Sequence, residues 1–154
     1  MVAGLDAIII YSNNPDAPTS LKDTNVIPML GKIFTQHNKV SQVVWRICYA
    51  ITIFSNFSPD VAAEIARLEL HEPLVACFRA FSSEPMVQQQ ILNVYAVLLG
   101  AGQKSRNAIH RSKHILDMLK EFITSKDEQI AAEQLEKRKQ VIIIGLRISL
   151  CCEY

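Results

Sequence analysis

Residues 25–34 read NVIPMLGKIF, residues 69–78 read ELHEPLVACF and residues 113–122 read KHILDMLKEF. Laid over one another, they place Leu30, Leu74 and Met118 in one column and Phe34, Phe78 and Phe122 in another, 44 positions apart each time. The segments after the first two stretches repeat as well. VVWRICYAITIFS at 43–55 and VQQQILNVYAVLL at 87–99 share that offset, with Val43, Ile47, Ala50, Ile51 and Phe54 matching Val87, Ile91, Val94, Tyr95 and Leu98. Spacings of three and four put these side chains on one face of a helix. Ahead of the second stretch, SPDVAAEIARLEL offers Ser58 as a cap and Pro59 in a first turn. Gly100 and Gly102 end the helix before the matching SRNAIHRSK, and Leu21, Ile65 and Ile109 become equivalent anchors. One unit is thus expected to be a short helix, a second helix and a longer third helix. A self-similarity of this length belongs to stacked helical arrays, in which each unit buries its apolar face only against its neighbours.

These residues resemble the armadillo repeat family. Its third helix runs valine, three variable residues, alanine, two variable residues, alanine and leucine, and VVWRICYAITIF and VQQQILNVYAVL look similar. Ile27-Pro28 looks like the isoleucine-proline pair at the start of the family's second helix, while the glycine before that pair is Asn25, Glu69 or Lys113 here. The resemblance covers about residues 1–125. It implies an all-α, right-handed α-α superhelix (an armadillo-like solenoid), with a HEAT-like array as the near alternative.

In the armadillo family the third helix lines an inner, concave surface, and importin-alpha-like members carry there a tryptophan and, four residues on, an asparagine that clamp a basic peptide. The matching positions here are Leu5 with Ile9, Tyr49 with Ile53, and Asn93 with Val97, so the clamp is missing and a signal-peptide receptor of that type is not expected. In its place Trp45, Tyr49 and Ile53 succeed one another at four-residue spacing, with Leu5, Ile9 and Val97 alongside. The expected partner-binding set is Trp45, Tyr49, Ile53, Gln89, Asn93 and Val97, with Trp45 and Tyr49 as anchors. The same residues could instead pack against the chain's own apolar tail, Val141 to Leu150.

Running the period backwards sets Ala3, Ala7 and Ile10 opposite Ile47, Ile51 and Phe54, so the chain opens inside a third helix. The expected organisation is a partial unit at 1–12, units at about 13–56 and 57–100, and part of a further unit at 101–125. Ser125 with Glu128 then forms a capping box, but the next core positions are Ala131, Leu135, Arg138 and Lys139, and the period fails after about residue 137. Residues 126–154 are therefore read as a divergent C-terminal helix and an apolar tail. VIIIGLRISL at 141–150 alternates with a period of two yet has the bulk of a short helix, and is expected to cap the array, over the groove or over its open end. About three units usually stabilise such an array, so a homodimer, a capping tail or membership of a larger complex is expected.

Lys plus Arg is 16 against Asp plus Glu 15, which gives no overall electrostatic case for nucleic acid or a membrane surface. Cys48, Cys77, Cys151 and Cys152 lack zinc-type spacing, which points to a reducing compartment, cytoplasmic with the nucleus open. Asp6 interrupts the opening apolar stretch where a secretory leader would continue, and VIIIGL is far short of the roughly 20 residues of a membrane span. His110 and His114 stand four apart with no matched third ligand, Cys48 and Cys77 fall in core stripes, and GAGQKS at 100–105 lacks phosphate-loop spacing. No catalytic residue, metal or cofactor is therefore expected. EKRKQ at 136–140 reads as a solvated helix face, and Lys104, Arg106, Arg111 and Lys113 as a basic edge suited to an acidic partner. The expectation is a non-catalytic protein-protein interaction scaffold that presents a concave, partly apolar groove to a helix or extended peptide. The alternative is a structural subunit of a larger assembly whose groove is permanently occupied.

Overall fold

The computed structural model describes residues 2–14 and 25–109, with His114, Ile115, Asp117 and Met118 beyond them. Among the described residues there are seven helices and no strand: α1 (Val2–Ser12), α2 (Val26–His37), α3 (Ser41–Phe57), α4 (Pro59–Ala66), α5 (His71–Ala80), α6 (Pro85–Gly100) and α7 (Gln103–Ile109). The protein is all-α over this range. The expectations on Leu21, Phe122, Ser125 and residues 126–154 lie outside the described residues.

Local chemistry accounts for the boundaries. Ser58 is extended and its hydroxyl accepts the Asp60 N–H, Pro59 occupies the first turn of α4, and Asp60 places a negative charge at the positive end of that helix. α6 likewise opens with Pro85. It closes at Gly100, and Gly102 takes a φ of 135°, a torsion that side chains strongly disfavour, before α7 begins. α3 and α6 start 44 residues apart, as do α4 and α7.

The buried sets carry the period further. On α3 they are Val43, Val44, Ile47, Cys48, Ala50, Ile51, Phe54 and Ser55. On α6 they are Val87, Gln88, Ile91, Leu92, Val94, Tyr95, Leu98 and Leu99. Each residue of the first set has its counterpart 44 positions later in the second, without omission. Leu30, Leu74 and Met118 are all buried, as are Phe34 and Phe78, and Ile65 and Ile109. The polar intruder Gln88, opposite Val44, is satisfied by donating through Nε2 to the Phe78 carbonyl at 3.1 Å, which ties α6 to the end of α5. The Cys77 thiol donates to the Asn38 carbonyl at 3.3 Å and ties α5 to the turn after α2.

α1 departs from the expected period. Ala3, Ala7 and Ile10 are exposed, Ile10 to 73%, and the residue that enters the core is Leu5, 2% exposed. Leu5 therefore does not lie along a groove, and Ile9 is half-buried against the core. The cause is compositional. VAGLDAIIIYS is apolar on nearly every side, so hydrophobicity selects no face, and the one charge, Asp6, sets the rotation through an ion pair with Arg46 of α3 at 2.6 Å.

Candidate functional site

α3 packs more extensively against α6 than against any other helix, with α1 as its next neighbour. Two cavities mark the ends of the α3–α6 seam. Ser41, Gln42, Trp45 and Arg46 from the first turns of α3 share one, of about 290 Å³, with Glu84, Met86 and Val87 at the start of α6. Ser55 and Asn56 from the end of α3 share the other, of about 480 Å³, with Pro59 of α4 and with Ala96, Val97, Gly100 and Ala101 at the end of α6. Start meets start and end meets end. The two helices therefore lie side by side and run in the same direction.

Their common phase leaves the same face of each outside the core. Trp45, Tyr49 and Ile53 on α3, and Gln89, Asn93 and Val97 on α6, are all half-buried, between a fully buried stripe and solvent. Trp45 lines the cavity at the amino ends and Val97 the cavity at the carboxyl ends. Trp45 and Tyr49 stack with ring centroids 5.4 Å apart and planes inclined by 5°, which fixes two large rings in one orientation. On α6 the amides link up instead: Gln89 Nε2 donates to Asn93 Oδ1 at 3.1 Å, and Asn93 Nδ2 donates to Gln90 Oε1 at 3.4 Å. One half of the seam is aromatic and apolar, the other a short amide ladder.

Arg46 borders the first cavity, held by Asp6 and by its own bond from Nη1 to the Gln42 carbonyl at 3.2 Å. Met86, 59% exposed, supplies the flexible apolar wall opposite Trp45. Met86, Arg46, Ser55 and Asn56 are among the lining residues that the repeat pattern alone passes over. Only Ser55 left a trace in the sequence, a polar residue where the next unit has Leu99.

The remaining candidates of the sequence fall elsewhere. Cys48 and Cys77 are buried free thiols. Burial pushes the Cys77 thiol up to about 11 and the Cys48 thiol higher still, with a smaller contribution from Cys77, so both are protonated and poor nucleophiles at neutral pH. Burial also raises the Tyr95 phenol well above its ordinary value, with lesser contributions from Cys48, Glu72 and Cys77. His114 is exposed with Nε2 3.9 Å from Glu72 Oε1, while His110 lies outside the described residues. Among the described residues no three His, Cys, Asp or Glu side chains group to hold a metal, and no helix is long and apolar enough to cross a membrane. Lys104 lies 3.8 Å from Asp60, both exposed, and Arg106 bonds Gln103 and the Leu99 carbonyl. Arg111, Lys113, EKRKQ at 136–140 and the tail from Val141 lie outside the described residues. Comparison with models of known families, with curated proteins and with solved structures finds no match for this chain.

Proposed function

We propose that this chain is a non-catalytic protein-interaction module, built as an armadillo-like right-handed solenoid, that receives a helix or extended peptide along the seam between α3 and α6. The observation that carries the reading is the 44-residue recurrence of the whole buried set on two helices that run side by side in one direction. Stacked units produce this arrangement, because each third helix must bury the same face against its predecessor and leave the same face over. The face left over holds Trp45, Tyr49, Ile53, Gln89, Asn93 and Val97. Rigid aromatic side chains beside an apolar-walled cavity make good anchors, since they bring contact area at little cost in side-chain entropy. The amide ladder on α6 offers donors and acceptors to a peptide backbone.

Trp45 is the only tryptophan in the chain, so its fluorescence reports on the seam directly. The test is affinity capture with the full chain beside a Trp45→Ala, Tyr49→Ala double variant, then fluorescence titration of the wild type with each captured partner. The expected result is a partner that perturbs Trp45 emission and binds the double variant at least about thirty-fold more weakly, as the loss of a hot spot worth about 2 kcal/mol requires. Partners that bind both forms equally would refute the seam as the binding surface.

A further inference from the structure

VIIIGLRISL at 141–150 lies outside the described residues, yet its letters alone set a demand on the surface that covers it. Its even-numbered residues, Ile142, Ile144, Leu146, Ile148 and Leu150, are all branched and apolar, whereas the odd-numbered ones include Gly145, Arg147 and Ser149. In an extended chain successive side chains point to opposite sides, so one side of this segment is wholly apolar and its single charge falls on the other. Such a run left in water is an aggregation hazard, and covering it takes an uncharged apolar surface.

The seam between α3 and α6 offers that surface at a matching length. Its six stripe residues carry no charge, and Arg46 beside them is paired with Asp6. Trp45, Met86 and Val87 wall the cavity at the amino ends, and Ala96, Val97 and Ala101 the cavity at the carboxyl ends. On α3 the two linings are centred about twelve residues apart, about 18 Å along a helix. Positions six apart in an extended chain share a side and span about 20 Å. Ile142 with Ile148, or Ile144 with Leu150, therefore match both cavities at once. Between the cavities runs the amide ladder, in which Asn93 spends one N–H and one lone pair on its neighbours and keeps a second of each. A helix satisfies its backbone internally and has no use for them, whereas an extended backbone does. Reach is no obstacle. The stretch from Met118, the last described residue, to Val141 covers about 35 Å if wound as a helix and about 75 Å if drawn out, against about 25 Å for the whole of α3.

We infer that the chain's own tail, residues 141–150, lies extended along this seam, with two of its even-numbered side chains in the end cavities and its backbone on Asn93. The inference rests on the seam reading above and adds its regulation, since a partner enters only after the tail has left.

The experiment compares the full chain with its Ile144→Asp, Ile148→Asp variant, which charges the apolar side of the tail and keeps every described residue as it is. Trp45 emission is read directly, because the chain has no second tryptophan. The variant should emit at longer wavelength and be quenched more steeply by acrylamide. A synthetic peptide of residues 136–154, carrying Cys151→Ser and Cys152→Ser, should return the variant's emission to that of the wild type. It should bind the wild type at least about ten-fold more weakly than the variant, as expected when the seam is open only about a tenth of the time. Ile144→Asn, Ile148→Asn serves if the charged variant does not fold. Unchanged Trp45 emission, as for a tail that covers the open end of the array, overturns the inference, and so does a peptide that fails to bind the variant. A difference that appears only as the protein concentration rises gives the seam to a second copy's tail and overturns it too. Partners that bind through Trp45 and Tyr49, beside tail variants that change nothing, would leave the seam reading standing and this inference alone refuted.

Discussion

α1 and α3 occupy the same place in the 44-residue period, yet they meet the protein in opposite ways. On α3, Ile47, Ile51 and Phe54 are closed off from water; their counterparts on α1, Ala3, Ala7 and Ile10, face outward, and the side chain that goes in is Leu5. α3 has α6 on one side and α1 on the other, whereas the extensive packing of α1 is with α3. A helix held between two neighbours has its rotation fixed by what it must bury on both flanks. A helix packed mainly on one side can turn, and here a single ion pair decides where it stops.

The sharpest way to break this comparison is to truncate the inner member. Phe54→Ala removes a ring that is 1% exposed and should cost about 3 to 5 kcal/mol in denaturant unfolding. A loss below about 1 kcal/mol would mean that α3 does not depend on its repeat position. Next in size comes a contest between two leucines. Leu74→Ala should fall high in the range of about 2 to 5 kcal/mol and Leu5→Ala near its lower end, because the surroundings of α1 can relax into the space left behind. Equal costs would show that α1 is as tightly enclosed as the inner units.

Alkaline titration sharpens the picture of the inner units. An unfolded cysteine ionises near 9.0, but Cys77 in the folded chain holds its proton to about 11. The stability that this difference confers is fully present below pH 9 and is lost as the pH rises towards 11, since only the unfolded state gives up the proton there. Wild type should lose roughly 2 kcal/mol more than Cys77→Ala across that window, read as a steeper fall in melting temperature. Parallel curves would place Cys77 in a wetter site than its burial implies.

Smaller effects belong to α1. A double-mutant cycle on Asp6→Ala and Arg46→Ala should give a coupling of about 0.2 to 1 kcal/mol that fades with added salt, as expected for a pair half open to solvent. A coupling of zero at low salt would leave the rotation of α1 without its cause. Smallest of all, Ile10→Ala should change stability by less than about 0.5 kcal/mol, although it sits at the repeat position of Phe54. A cost above about 2 kcal/mol, the range of buried large-to-small changes, would return Ile10 to the core.

How far the structure could be read from the letters obeys the same division. α3 and α6 were legible because flanking neighbours force the period onto both, down to Val44 and Gln88, a pair whose chemistries differ while their burial agrees. The stripe of Trp45, Tyr49, Ile53, Gln89, Asn93 and Val97 was singled out through the armadillo resemblance, and all six side chains lie half-buried beside the core. The rotation of α1 was not legible, because it depends on Asp6 finding Arg46, 40 residues away, in a stretch with no apolar periodicity to read. The carboxyl-end cavity was hidden for another reason. Ser55, one of its lining residues, is an exception to the repeat, and recurrence does not mark its exceptions.

Glu69 joins torsion to spelling. It is an exposed glutamate with φ at 54°, in the left-handed region where glycine rests without strain. Asn25, one period earlier, has an ordinary φ of −77°. The left-handed torsion costs Glu69 roughly 1 kcal/mol or a little more, and a glycine there would give back much of that gain through its greater freedom in the unfolded chain. The net incentive to keep glycine at this turn is therefore small. Either residue can therefore spell this corner, and a left-handed torsion leaves no obligatory glycine for a reader of the sequence to find.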